Sequence, residues 1–212
     1  MNAAPSAAPP GAPGNRSVEF FDRQFRAQRD AAALALNPFE EAALPHLAGA
    51  VLDFGCGMGN LAFAAARRGC TVTALDASPA AIAHVRARAA AERLPVTAHL
   101  ADLSLYALDR DWDGVVAIGL LMFFPCARAL AVLDDLAAHV REGGVCAVNV
   151  LVEGTTFLDM FDPAGYCLFP PTRLAERFAT WQVLHDDVRD FPATGGTVKR
   201  FATVVARRPH VR

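Results

Sequence analysis

Val51-Leu52-Asp53-Phe54-Gly55-Cys56-Gly57-Met58-Gly59-Asn60 is the stretch that decides how this chain folds. Val51 to Phe54 reads as a short apolar strand with an acid near its end. Three glycines at alternate positions follow, and Asn60 opens a helix that Gly69 ends. Glycine lacks a Cβ and tolerates positive φ, so such a loop brings bare backbone against a ligand. The acid in front of the glycines favours a ligand that carries positive charge.

Two more acids extend the pattern. Asp76 ends the strand Thr71–Leu75, 21 residues after Gly55. An acid about 20 residues beyond the glycines accepts ribose hydroxyl protons in dinucleotide-binding folds. Asp102 follows the strand Val96–Leu100, where a carboxylate can accept from an adenine amino group. Three acids at the C-terminal ends of successive strands face the crevice in which open α/β sheets bind ligands. A nicotinamide dinucleotide is the natural competitor, served by an oxidoreductase. Its pyrophosphate favours a helix N-terminus free of carboxylates, and Asp53 has the wrong sign for it. The spacing Gly55-x-Gly57-x-Gly59 also differs from G-x-G-x-x-G. S-adenosyl-L-methionine (SAM) has no phosphate and carries a sulfonium and an ammonium, so charge selects it. Asp53, Gly55, Cys56, Gly57, Gly59 and Asn60 are expected at its methionine end. Asp76 and Ala77 are expected at the ribose, Asp102 and Leu103 at the adenine, and Ile118, at the end of the fourth strand, in the same site.

Outward from this core, strands and helices alternate. Ser78-Pro79 reads as an N-cap followed by proline at the first helical position, opening a helix to about Arg93. Gly114–Ile118 is a β-branched strand suited to burial on both faces. Ala127–Val140 has Leu130, Leu133, Leu136 and Val140 on one side of a helix, closed by Glu142-Gly143-Gly144. Val145–Leu151 is the next strand. A loop from Glu153 to Pro171, a short helix over Thr172–Thr180 and two β-rich segments, Gln182–Val188 and Thr197–Ala206, complete the chain. This order predicts an α/β, Rossmann-like, mostly parallel seven-stranded sheet with helices on both faces and a C-terminal antiparallel hairpin.

The length of 212 residues allows one domain and a tail. Residues 1–16, rich in Ala and Pro, read as a disordered tail. Residues 17–208 read as a single domain: a helical lid (17–48), a cofactor core (49–152) and a substrate-side segment with the hairpin (153–208). Within 17–36, Phe20, Phe21, Phe25 and Leu34 lie among Arg23, Arg26 and Arg29; this helix either covers the ligand or packs on the sheet. A net charge of -2 implies no basic face and no nucleic-acid partner. No apolar run is long enough to span a membrane, and the N-terminus lacks the pattern of a signal peptide. The five cysteines form no C-x-x-C pair, which reads as a reducing, cytoplasmic setting. None of the six histidines has metal-ligand spacing, so no metal is expected. His185 with Asp186 and Asp187 is either a base near the substrate or a polar edge-strand residue.

Asp53-Phe54-Gly55-Cys56-Gly57-Met58-Gly59, Leu75-Asp76-Ala77-Ser78-Pro79 and Ala101-Asp102-Leu103 resemble the successive cofactor motifs of class I SAM-dependent methyltransferases. Trp112-Asp113-Gly114-Val115-Val116, Leu121-Met122-Phe123-Phe124, Gly165-Tyr166-Cys167-Leu168-Phe169-Pro170 and Lys199-Arg200-Phe201-Ala202-Thr203-Val204-Val205-Ala206-Arg207 are similar to the tellurite-resistance methyltransferase family. The resemblance implies methyl transfer to a small, soft or anionic nucleophile, S-adenosyl-L-homocysteine as product, a small-molecule partner and a monomer or homodimer. That family carries a His-Arg pair before its last strand. This chain has none there, and Arg189 and Arg200 are the basic stand-ins for positioning the substrate. Lys199 and Arg200 alternate in direction, so only one can face the pocket. A cofactor-binding module without chemistry remains the alternative. Leu121, Phe123 and Phe124 either wall the transfer site or pack under the sheet. Cys167 either meets a thiophile or is a packed thiol.

Overall fold

A computed structural model of the chain describes residues 16–27 and 35–210. The expected disordered tail, apart from Arg16, and Arg29 and Leu34 of the leading segment lie outside those residues. The strands are β1 (Ala50–Phe54), β2 (Thr71–Asp76), β3 (Val96–Leu100), β4 (Trp112–Ile118), β5 (Val140–Leu151), β6 (Gln182–Pro192) and β7 (Val198–Arg207). They form one seven-stranded sheet in the order β3-β2-β1-β4-β5-β7-β6. The first five are parallel, and β7 runs antiparallel between β5 and β6. Chain direction across the sheet reverses between β1 and β4. The crevice at such a switch point is where open α/β sheets hold ligands.

Helices α1 (Arg16–Ala27), α2 (Pro38–Ala43), α3 (Asn60–Arg67), α4 (Pro79–Glu92), α5 (Cys126–Ala138) and α6 (Arg173–Arg177) flank it. Side chains alternate across a strand, and β1 shows the result. Leu52 and Phe54 enter the core shared with Leu133 and Leu136 of α5 and Phe178. Val51 enters the opposite core, with Phe63 of α3 and Ile82 and Val85 of α4. The caps follow the sequence. Ser78 Oγ accepts the Ala81 N–H, with Pro79 at the first turn of α4. Asn37 Oδ1 accepts from the Phe39 and Glu40 N–H groups while Glu40 accepts from the Asn37 N–H, a full capping box on α2.

Two features differ from the sequence reading. Strand β5 starts at Val140, so Glu142-Gly143-Gly144 lies inside it and does not close α5. The Gly143 N–H donates to the Arg208 carbonyl and the Arg208 N–H to the Gly144 carbonyl, which draws this glycine-rich stretch into pairing beyond the end of β7. The second is a disulfide between Cys126 and Cys167, residues separated by 41 positions. The Cys167 N–H donates to the Met122 carbonyl, which carries the loop to the start of α5. Cys167 is therefore a bridge and not a packed thiol, whereas Cys56, Cys70 and Cys146 are free and buried. Among the described residues no helix is long and apolar enough to cross a membrane.

Closing a loop of this length removes chain entropy from the unfolded state worth roughly 4 kcal/mol. Thermal unfolding with and without a phosphine reductant is expected to show Tm lower by several degrees when the bridge is open, and the same loss in Cys126→Ser/Cys167→Ala. An unchanged Tm would show that the native contacts alone hold this loop.

Candidate functional site

The glycine loop sits at the C-terminal end of β1. The Gly55 and Cys56 N–H groups both donate to the Leu75 carbonyl, so the loop continues the pairing of β1 with β2. Gly57 has φ +49, and a Cβ there would come within 3.3 Å of the Phe25 ring on α1. The Gly57 N–H donates to Asp76 Oδ2 at 2.8 Å, and the Ser78 N–H donates to Asp76 Oδ1 at 2.8 Å. Asp76 thus clamps the glycine loop to the start of α4, and with a further bond from the Ala77 N–H its carboxylate still has acceptor capacity for a ligand hydroxyl.

Asp53 is buried, and its Oδ2 has no hydrogen-bond partner. Burial pushes its pKa up to about 8, with the Glu40 and Asp76 carboxylates adding to the shift. Desolvation also raises the pKa of Asp76 and of Glu40. Among the described residues no cation pairs with these three acids, and they form a hollow that a positively charged group would relieve. Glu40 was not legible as a site residue, because the sequence marks it only as the third residue of a capping box. Cys56 is buried beside Asp53 and Asp76, and its thiol is pushed well above the usual range, so it is a packing residue of the loop and not a nucleophile. The Asn60 amide donates to the Ala35 carbonyl and ties α3 to the segment before α2. Asp102 is exposed and accepts from the Ser104 N–H and hydroxyl, while Leu103 is buried under the loop.

Helix α1 lies across this crevice. Asp22 Oδ1 accepts from the Ser78 hydroxyl and from the Ala80 N–H at 3.1 Å, at the start of α4. The Ser17 hydroxyl donates to the Met160 carbonyl at 3.1 Å on the far side. Phe21 packs edge-on against Phe123 at 5.1 Å between ring centroids. Beneath the helix is a cavity of about 410 Å³ lined by Phe21, Ile118, Met122, Phe123, Asn149 and Lys199 among others. The segment after β4 therefore divides: Leu121 and Phe124 enter the core, while Met122 and Phe123 wall the cavity.

Neither expected arginine lines this cavity. Arg200 is exposed and paired with Asp190 at 3.0 Å, and Arg189 is paired with Asp187 at 2.5 Å. Lys199 is the member of the Lys199-Arg200 pair that faces inward. His185 lies 3.4 Å from Asp187 on the edge strand, away from the cavity lining. Among the described residues no group of three His, Cys, Asp or Glu side chains could hold a metal ion.

The fold is the one shared with class I SAM-dependent methyltransferases, and the site resembles theirs. Residues 51–144 match the family described as a methyltransferase domain. Hemagglutinin 1 of Eikenella corrodens is 31% identical over 166 residues, covering 74% of this chain and 54% of that protein. The chain thus spans about half the length of this curated relative. TehB from Haemophilus influenzae superimposes with a TM-score of 0.69 at 20% identity, over 91% of this chain and 67% of TehB. The protein solved in work on the conversion of a disulfide bond into a thioacetal group during echinomycin biosynthesis superimposes with a TM-score of 0.65 at 26% identity, over 91% of this chain and 92% of its own. Proteins of this fold are known with S-adenosyl-L-homocysteine and with SAM bound. The orphaned Asp53 oxygen and the cradle that a Cβ at Gly57 would fill fit that cofactor.

The buried acid sets a pH dependence. Folded Asp53 keeps its proton to about pH 8, whereas an unfolded chain sheds it near 3.8. The native state holds the extra proton across that window, so this group lowers stability progressively as pH rises through it. The full cost above the window is on the order of 5 kcal/mol. Asp53→Asn is expected to raise the Tm of the ligand-free protein at pH 8, and less at pH 5, while weakening SAM binding at least tenfold. Calorimetry at pH 7 in buffers of different ionisation enthalpy should record proton release when SAM binds the parent protein. Equal Tm values at pH 8, or binding with no proton exchange, would refute this account of Asp53.

Proposed function

We propose that the protein transfers the methyl group of SAM to a small, soft or anionic nucleophile held in the cavity under α1. The observation that supports this most is the unpaired Asp53 carboxylate beside the glycine loop, a poor host for a pyrophosphate and a good one for an ammonium or sulfonium. In this reading Asp53, Gly55, Cys56, Gly57, Gly59 and Asn60 surround the methionine moiety. Asp76 with Ala77 takes the ribose hydroxyls, and Asp102 with Leu103 borders the adenine. Ile118 separates the cofactor from the acceptor. Residues 17–208 act as one domain, with α1 and α2 as the cover.

SAM supplies an already activated methyl group, so this chain's own work is alignment and exclusion of water. Proximity alone contributes about 7–11 kcal/mol in favourable cases. The acceptor's lone pair forms the new bond to the methyl carbon while the carbon–sulfur bond breaks, its electron pair remaining on sulfur. A thiolate or another soft anion gives up no proton, which suits a cavity whose described lining has no carboxylate, histidine or cysteine. Sulfur chemistry is also what the echinomycin-pathway neighbour is described by. We place the protein in the cytoplasm, where glutathione would hold Cys126 and Cys167 reduced; alkylation of the two thiols in freshly lysed cells checks that assignment.

Calorimetry is expected to show binding of SAM and of S-adenosylhomocysteine, and methyl-labelled SAM is expected to label small thiols. Absence of heat with both nucleosides ends the cofactor assignment. Tight binding without turnover across thiols, selenite, tellurite and small carboxylates would mark a module that retains the cofactor and lacks the chemistry.

A further inference from the structure

The cavity under α1 has one ionisable group among its described lining residues, Lys199. Its ammonium lies 4.5 Å from the Phe157 ring centroid, and no ion pair to it exists among the described residues. Every other described cation on β6 and β7 either pairs with an acid or hydrogen-bonds a backbone carbonyl: Arg189 with Asp187, Arg200 with Asp190, His185 with Asp187, and Arg207 with the Gly143 carbonyl. Burial lowers the Lys199 pKa, as expected for a cation facing apolar walls without a partner.

A second polar group faces the same cavity from the sheet. Asn149 is fully buried on β5, where its amide nitrogen donates to Thr203 Oγ1 at 3.0 Å and to the Ala202 carbonyl at 3.4 Å. Those two bonds fix the amide, and Oδ1 is left with no partner. Leaving a buried oxygen unsatisfied costs about 1–3 kcal/mol, which a ligand donor would recover. Asn149 is in register with Ile118, and its own carbonyl accepts the Gly119 N–H at 3.0 Å, so it marks the cofactor end of the cavity. It is also in register with Thr203, four residues along β7 from Lys199. Four residues of strand span roughly 13 Å. Less the reach of the two side chains, that leaves the length of a single-ring molecule. The walls between are aromatic: Phe21, Phe123, Phe157 and Phe201.

Resting on the methyltransferase reading, we propose that Lys199 anchors the methyl acceptor. The acceptor is a small aromatic or similarly apolar organic anion, its charged group on Lys199 Nζ and its reacting end at Asn149; a thiol there donates to Asn149 Oδ1 on binding and loses that proton to bulk water before the thiolate takes the methyl group. The aromatic walls bind its body, and the same lysine repels cationic amines. An inorganic oxyanion meets the lysine and leaves the apolar walls unused.

The test uses two probes on the protein loaded with S-adenosylhomocysteine: 4-(mercaptomethyl)benzoate and its uncharged counterpart 4-methylbenzyl thiol. Calorimetry is expected to show the carboxylate binding at least tenfold more tightly than the uncharged thiol. Lys199→Met should abolish that preference, and Lys199→Arg should keep most of it. Affinity for S-adenosylhomocysteine should be unchanged in both variants, and Tm should not fall in Lys199→Met, which removes a partly desolvated charge. Equal affinity for the two probes, no binding of either, or a preference that survives Lys199→Met overturns the proposal. A parent protein that fails to bind S-adenosylhomocysteine overturns the cofactor reading beneath it, a result separable from the others.

Discussion

A carboxylate is buried at the end of β1 with one oxygen bare, and the rest of the site is arranged around its missing partner. Among the described residues Asp53 has one backbone hydrogen bond, from Ala62, and its charged neighbours are Glu40 and Asp76, both acids. The ligand-free protein therefore holds a proton on Asp53 at neutral pH, which a bound cation would displace. A phosphate would add to the repulsion, and a cation would remove it. The choice between a dinucleotide and a sulfonium cofactor is thus made by electrostatics, more firmly than by the spacing of the glycines.

The fold delivers that carboxylate to one place. Parallel pairing of β1 with β2 and with β4 aligns their C-terminal ends. Asp76, one strand away, then reaches back to hold the Gly57 N–H. The clamp matters because a glycine loop has high conformational freedom to lose. Two bonds from one carboxylate fix it before any ligand arrives. Helix α1 finishes the enclosure through a third acid, Asp22, which bonds the start of α4 while Phe25 lies over Gly57. The glycine loop and the cavity thereby lie under one helix, so in the proposed reading water is excluded from both together.

The glycine loop and the acids around it were legible in the sequence because they are local. Strand, glycine loop and helix follow one another without interruption, and each acid sits where its own strand stops. The acceptor half was not, because it is assembled from distant segments. Cys126 and Cys167 have no telling spacing and meet only when the loop after β5 folds back to Met122. Glu40 carries a capping role that conceals its nearness to Asp53. The glycines at 143 and 144 read as a helix stop because pairing with Arg208 is a long-range event.

The lysine and arginine at 199 and 200 show where pattern reading ends. Alternation establishes that the two point to opposite faces of β7, yet both faces of that strand are covered, so hydrophobicity gives no preference. Ala202, Val204 and Ala206 share Arg200's parity and pack toward α5. Phe201 shares Lys199's parity and stacks on Phe39 of α2, 4.8 Å between centroids. The leading helices cover that second face, so the side of the sheet on which α1 and α2 dock decides which cation lines the cavity. Asp22, which bonds the start of α4, holds α1 in that position from the other end of the chain. The identity of the cavity-facing charge is therefore a tertiary property, set by how the leading helices dock and not by the strand that carries it.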